Sequence, residues 1–315
     1  MHKYLRAVGF SKTPTRKEIF NFIQSGLEKP AYRAYTTNDA DPDSLLAQFD
    51  LPLGKNFGLC VCGQFDDDDE FYPEYYYPYL DTDRISSAED VTFEKRLDNN
   101  SYAGVCDDLR VGVTLIFRLR NYIEYLKNKD RQSQDTENGR IVSSCSLSAL
   151  SLEGSVLMPI YESEAERKSK KSTEIKRRKL MTQARDGDEE AARTLSSAEM
   201  ETYANILSHI QYEDVYSMVD SYLMPYGAEC DLYSIMAEIK KVRRAGNSLT
   251  GEEILILTLS CNGLYLDLAI NSKDLFGVPE AGRRFKGIIW MQGKVNFIDQ
   301  EPAEKEAGNN QETIV

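Results

Sequence analysis

The chain has 315 residues, a formal charge of -13 and a pI near 4.8, and 41% of it is hydrophobic. That length exceeds what one core usually fills, so two domains are expected, and the apolar share is that of a folded protein. The acidity argues against a protein coated in DNA or RNA, whose affinity rests on neutralising phosphates.

The opening residues MHKYLRAVGFSKTP lack the apolar core of an export signal, and no stretch reaches the roughly 18 apolar residues of a membrane span. A cytoplasmic protein with no membrane association is therefore expected. The six cysteines are read as reduced thiols, because they are sparse and no export signal accompanies them.

Thr15 and Glu18 make a capping box behind Pro14, and Ile19, Phe22 and Ile23 share a face, so the first helix starts there and stops at Gly26. A short helical piece is expected over Ser44–Phe49. FGLCVCGQF then runs into a turn of aspartates and returns as EFYPEYYYPYL, an acid-tipped hairpin. VTFEKRL and SYAGV flank Asp98, Asn99 and Asn100 as a second hairpin. VGVTLIFRL reads as a core strand or the start of a buried helix, and NYIEYLKNKD as a helix. After a polar loop over Arg131–Gly139, IVSSCSLSALSLEGSVLMPIY reads as a further strand pair.

From Glu162 to Leu180 the sequence carries a local excess of positive charge and no large apolar face, which fits a solvated helix or tether. Gly187, Asp188 and a second capping box at Ser196 and Glu199 punctuate two further helices. Val215, Met218, Val219 and Tyr222 share a face of another helix, which Pro225 and Gly227 break. LYSIMAEIKKVRR, EILILTLSC, LYLDLAI, FKGIIWMQG and KVNFI follow as short strands. The fold class is therefore α+β: an antiparallel-sheet domain over 1–160, a charged helix and helical spacer over 161–228, and a small β-barrel of OB-like size over 229–299. A disordered acidic tail over 300–315 completes the chain.

The blocks HKYLRAVGFS, GLCVCG, EYYYPYL, MPYGAECDLYSIMAEI and GRRFKGIIWMQGKVNF resemble a domain of unknown function found in clostridia-like Gram-positive bacteria. They span nearly the whole chain. The resemblance implies no activity and assigns no catalytic residue.

With only His2 and His209 present, histidine-based triads have little to draw on and a multi-histidine zinc site is impossible. For His209, a helix-surface or packing role is the weightier reading. Cys60 and Cys62 lie two apart on a strand and so face the same way, which favours core packing over metal or redox work. No phosphate-cradling or dinucleotide glycine motif is present, so no nucleotide cofactor is expected. Asp66 to Asp69 and Glu70 read as a solvated turn rather than a cation site, and no metal is expected.

Two surfaces stand out. Tyr72, Tyr75, Tyr76, Tyr77 and Tyr79, with Phe71, Pro73 and Pro78, either pack against the sheet beside an edge strand or form a partner-binding edge. Packing carries more weight, and the partner edge is the leading functional reading. Arg283, Arg284 and Lys286, with Lys240, Lys241, Arg243 and Arg244, could gather at strand ends, with Tyr265 or Trp290 available for base stacking. A solvent face paired with the acidic N-terminal half is the weightier account there. The ending Thr313-Ile314-Val315 has the form of a PDZ ligand, a pattern frequent by chance.

A non-catalytic binding or adaptor protein with a protein partner is the first expectation. A nucleic-acid-associated protein using Arg283, Arg284 and Lys286 is the disfavoured alternative, and a carboxylate enzyme using Asp107 and Asp108 the third.

Overall fold

The computed structural model describes residues 2–38, 41–66, 68, 70–96, 101–134, 140–160, 164–209 and 219–299. A 3-10 turn over Lys3–Val8 precedes helix α1 (Arg16–Leu27), where the Thr15 hydroxyl accepts from the Glu18 amide and the Glu18 carboxylate accepts from the Thr15 amide. Strands β1 (Tyr32–Asn38), β2 (Asp41–Gly54), β3 (Phe57–Phe65) and β4 (Phe71–Leu80) follow, then β5 (Val91–Lys95), β6 (Tyr102–Asp108) and β7 (Val113–Leu119). Helix α2 (Tyr122–Gln134), strand β8 (Arg140–Leu157), and helices α3 (Glu164–Arg185) and α4 (Glu189–His209) come next. The chain closes with β9 (Tyr222–Pro225), β10 (Leu232–Gly246), β11 (Glu253–Cys261), β12 (Leu264–Asn271), β13 (Leu275–Phe276) and β14 (Arg284–Asp299). The molecule is α+β and mostly sheet.

The first sheet is an antiparallel meander in the order β1-β2-β3-β4. Its two faces have separate jobs. Leu51 packs beneath Gly26 of α1, and Phe49 sits edge-on against Phe71, 4.8 Å between ring centres, so the odd-numbered residues of β2 face the helix. Gln48 and Asp50 face the other way, where Asp50 meets Arg120 at the end of β7, 2.6 Å away. This two-sided burial overrides the local helical preference of Ser44–Phe49, and the helical piece expected there is the middle of β2.

The second sheet runs β13-β8-β12-β11-β10-β14-β7-β6-β5, with β9 on β10 and β8 also on β14. The strands of 229–299 do not close on one another alone: β8 lies between β12 and β14, and β14 pairs in parallel with β7 at Gln292 and Gly293. The C-terminal sheet expected to be self-contained is thus shared with strands from before the charged helix. The pairings β8–β12–β11–β10–β14 return to β8.

Several local expectations change for the same reason, burial by distant partners. The stretch Arg140–Leu157 is one long strand, because its buried Ser144, Ser146 and Ser148 and the small Ala149 let β14 lie against it throughout. FKGIIWMQG and KVNFI are likewise a single strand. The helix α4 runs through Ser196 without a new start, and Asp188 caps it by accepting from the amides of Glu190 and Ala191. Tyr222 lies in β9, not in a helix. Val215, Met218, Asp98 to Asn100, the tail over 300–315 and the side chain of His209 lie outside the described residues. No helix among the described residues is long and apolar enough to cross a membrane.

The two sheets are joined by a charged cluster. Arg120 is 1% exposed in its side chain, bonds Asp50 and Asp81, and lies over the Tyr79 ring at 4.0 Å; Lys294 of β14 reaches the same Asp81 at 2.6 Å.

Candidate functional site

Strand β4 is an edge of the first sheet, and its alternation splits the tyrosines between two environments. Tyr77 and Tyr79 are 2% and 3% exposed and point into the joint between the sheets, with Tyr75 half-buried beside them. Burial raises the hydroxyl pKa values of all three. Tyr76 points to the α1 face, and Tyr72 is exposed near the acidic turn, where Asp66 and Glu70 push its hydroxyl up. Packing therefore accounts for Tyr77 and Tyr79, and only part of the tyrosine row reaches a surface.

The outer edge of β4 is itself divided. The Gln292 side-chain amide donates to the carbonyl of Pro78 at 2.9 Å, and its oxygen accepts from the Leu80 amide at 3.4 Å. Ser148 and Arg120 also donate to the Leu80 carbonyl. The second sheet thus covers the C-terminal half of this edge. Outward backbone groups alternate along a strand, so Tyr76 is the next residue whose N–H and C=O point out of the sheet. Pro73 lies further along, beyond the register shift opposite Gly63.

Beside this open half is a groove of about 320 Å³ between β4 and α1. One wall is Arg16, Ile19, Phe20 and Ile23, which fall on one helical face; the other is Pro73, Glu74, Tyr75 and Tyr76. Ile19 and Ile23 form the floor at 3% and 5% exposure, while Phe20 stands 51% exposed at the rim. Partial burial raises the Tyr76 hydroxyl pKa, with Arg16 acting against it. The groove is apolar inside, with one cation and one carboxylate at its margins.

Behind β4, Cys60 and Cys62 share the face of Tyr77 and Tyr75, their cross-strand partners, and their sulfurs are 3.8 Å apart. Arg118 of β7 lies over the Tyr77 ring at 4.1 Å and the Tyr75 ring at 5.4 Å. Among the described residues it has no ion pair, and its Nε has no hydrogen-bond partner. The neighbouring His2 is pushed down to about 4, first by burial and then by Arg118, and it packs 4.7 Å from Trp290.

The basic strand ends are largely committed within the fold. Arg284 is 8% exposed and donates to the carbonyls of Met158 and Val219. Arg283 pairs with Glu280 and donates to the Val278 carbonyl, and Lys286 lines a separate groove with Tyr226 and Phe276. Lys240, Arg243 and Arg244 pair with Glu238, Asp267 and Glu253. Trp290 is buried with its indole N–H on Asp231, so it offers no face for stacking. Asp107 and Asp108 do not converge. Asp107 is exposed and accepts from Thr114, whereas Asp108 is buried; burial works to raise its pKa, but Arg110 and Ser87 outweigh it and hold it low. The acidic turn is spent on its own backbone, Asp66 accepting from the amides of Asp68 and Glu70, and no cluster of metal-ligating side chains occurs among the described residues.

Sequence reasoning found the tyrosine strand but missed its partners, α1 as the opposite wall and Arg118 and Arg120 behind it. One signal was available: two arginines two residues apart in the otherwise apolar run VTLIFRLR place charge on a face that the sheet must bury.

Fold and edge together define an α+β protein of two joined sheets with one strand edge half covered and half open. The chain belongs to the DUF3881 family, described as a domain of unknown function under an E. rectale gene description, which matches residues 5–293. No curated protein and no solved structure matches it.

Proposed function

We propose that the protein is a non-catalytic binding module that takes an extended segment of a protein partner along the open half of β4. The observation that carries this reading is the apolar groove lying directly beside outward-pointing backbone groups. An added strand would hydrogen-bond at Tyr76 while an alternate side chain enters between Phe20 and Pro73. Arg16 and Glu74 at the margins favour a partner segment with an apolar anchor flanked by charges of both signs. The cycle of pairings through β8, β12, β11, β10 and β14 reads as a small barrel of OB-like size, and it serves as the rigid body on which the edge is mounted. The nucleic-acid reading loses support because Arg284 and Trp290 are buried and Arg283, Lys240, Arg243 and Arg244 are paired with carboxylates.

The test is selection of peptides from a random library on the immobilised protein, followed by affinity measurement on Phe20→Glu. Selected peptides are expected to bind wild type and a Leu249→Glu control equally and to lose at least about tenfold on Phe20→Glu, the scale of one buried anchor. Peptides that bind Phe20→Glu as tightly as wild type, or a library that yields no binder, would refute the reading.

A further inference from the structure

Arg118 near the end of β7 and Arg120 just beyond it are two residues apart, and both lie across the tyrosine face of β4. Arg120 stands over the Tyr79 ring at 4.0 Å, and Arg118 over the Tyr77 ring at 4.1 Å and beside the Tyr75 ring at 5.4 Å. Only one of the two has its anions. Arg120 is bonded to Asp50 and Asp81, whereas Arg118 has no ion pair among the described residues. The Nε of Arg118 has no hydrogen-bond partner, and neither do the hydroxyls of Tyr75 and Tyr77. A half-buried guanidinium is costly to hold without an anion beside it. Unpartnered donors gathered around one guanidinium suit a carboxylate, which accepts several hydrogen bonds at once.

The place of Arg118 along β4 says where that carboxylate comes from. Arg118 is the register partner of Gln292, whose amide covers the strand edge at Pro78 and Leu80, so the guanidinium stands where the covered half of the edge gives way to the open half. Tyr75 and Tyr77 flank Tyr76, the residue whose backbone groups point out of the sheet. In a strand added there, the residue opposite Tyr76 shares its face, towards α1, and the residues before and after it point to the other face, towards Tyr75, Tyr77 and Arg118. Cross-strand neighbours stand about 5 Å apart at Cβ, so an Asp or Glu side chain at either position is long enough to reach a guanidinium stacked on these rings. Arg16 lies on the groove face and is turned away from those positions by the same alternation. Resting on the reading of β4 as a docking edge, we infer that Arg118 selects a partner segment with an acidic residue next to its apolar anchor, the carboxylate pairing with the guanidinium on the face opposite the groove.

The test is selection from a random peptide library on the immobilised full-length protein, followed by affinity measurement of the selected peptides and of their versions with Asp changed to Asn or Glu to Gln. Selected peptides are expected to carry Asp or Glu beside the apolar anchor. The amide versions are expected to bind wild type about tenfold more weakly, the scale of one charge-assisted hydrogen bond. On Arg118→Met the acid and amide versions are expected to bind equally, and on Arg16→Met the tenfold difference is expected to remain. Peptides with no acid beside the anchor, amide versions that bind wild type as tightly as the acids, or an acid dependence lost on Arg16→Met and kept on Arg118→Met overturn the inference. In each of those cases a loss of affinity on Phe20→Glu would still uphold the docking edge, whereas a library that yields no binder overturns both. The acid and amide comparison on wild type and Arg16→Met stands whether or not Arg118→Met folds.

Discussion

Replacing Arg120 by Met removes a positive charge that is 1% exposed while keeping most of its length, and it strands Asp50, itself 3% exposed in its side chain. Asp50 would retain only the Gln48 amide at 3.3 Å. Breaking a buried pair from one side costs about 3–5 kcal/mol, because the remaining charge is left without compensation. At roughly 2 °C per kcal/mol in a chain of this size, the melting temperature should fall by about 6–10 °C. The assay is thermal and urea unfolding followed by the fluorescence of Trp290, the one tryptophan in the chain, which is 4% exposed and reports on β14 beside the joint. Asp50→Asn alone should cost less, since Arg120 keeps Asp81. The double variant Asp50→Asn with Arg120→Met should be more stable than Arg120→Met by itself, because it removes the stranded carboxylate. A loss below about 1 kcal/mol in Arg120→Met, or a double variant no better than the single, would refute the view that this cluster holds the two sheets together.

Two further outcomes follow from local geometry. Glu252 accepts from the amide and hydroxyl of Ser11, from Asn271 and from Lys273; burial opposes them, but together they pull its pKa down to about 2. Its folded pKa lies below the ordinary value near 4.3, so the stability it contributes is fully present above about pH 4.3 and is lost as pH falls toward about 2. The stability difference between wild type and Glu252→Gln should therefore be widest near neutral pH and shrink across that window; a difference independent of pH refutes the assignment. Gly293 lies where β14 meets β7, and a Cβ there would stand 2.6 Å from the Phe117 ring and 3.1 Å from Leu147. Gly293→Ala should lose about 1–3 kcal/mol in denaturant unfolding by forcing these buried side chains apart, and wild-type stability would show that the joint has slack.

Local signals in the sequence located most elements, and the failures share one cause. The capping box at Thr15 and Glu18 and the hairpin across Asp66 are encoded by residues near one another, and the structure has both; VTLIFRL, which periodicity left as strand or buried helix, is strand. Ser44–Phe49 became strand because Ala47 and Phe49 are required under α1 while Gln48 and Asp50 are required against the second sheet. Neither requirement is visible within six residues. Arg140–Leu157 likewise reads as two strands until β14 lies alongside it, when the small side chains of Ser144, Ser146 and Ser148 become what lets two long strands pair.

The same distinction explains which part of the candidate site could be read in advance. Tyrosines alternating with prolines at 73 and 78 identify an edge, because proline cannot donate to a neighbouring strand. They do not say how far that edge stays open. That depends on Gln292, more than 200 residues away in sequence, whose amide covers Pro78 and Leu80 and leaves Tyr76 with outward backbone groups. A glutamine in an apolar strand carries no local mark of this role. Its burial at 0% exposure with both ends of the amide on β4 means that Gln292→Leu would strip the Pro78 carbonyl and the Leu80 amide of these partners, while Ser148 and Arg120 still hold the Leu80 carbonyl and the groove beside α1 stays in place. The length of open edge, and with it the length of segment a partner could add, is therefore set by the second sheet, through Gln292, Ser148 and Arg120, rather than by β4 itself.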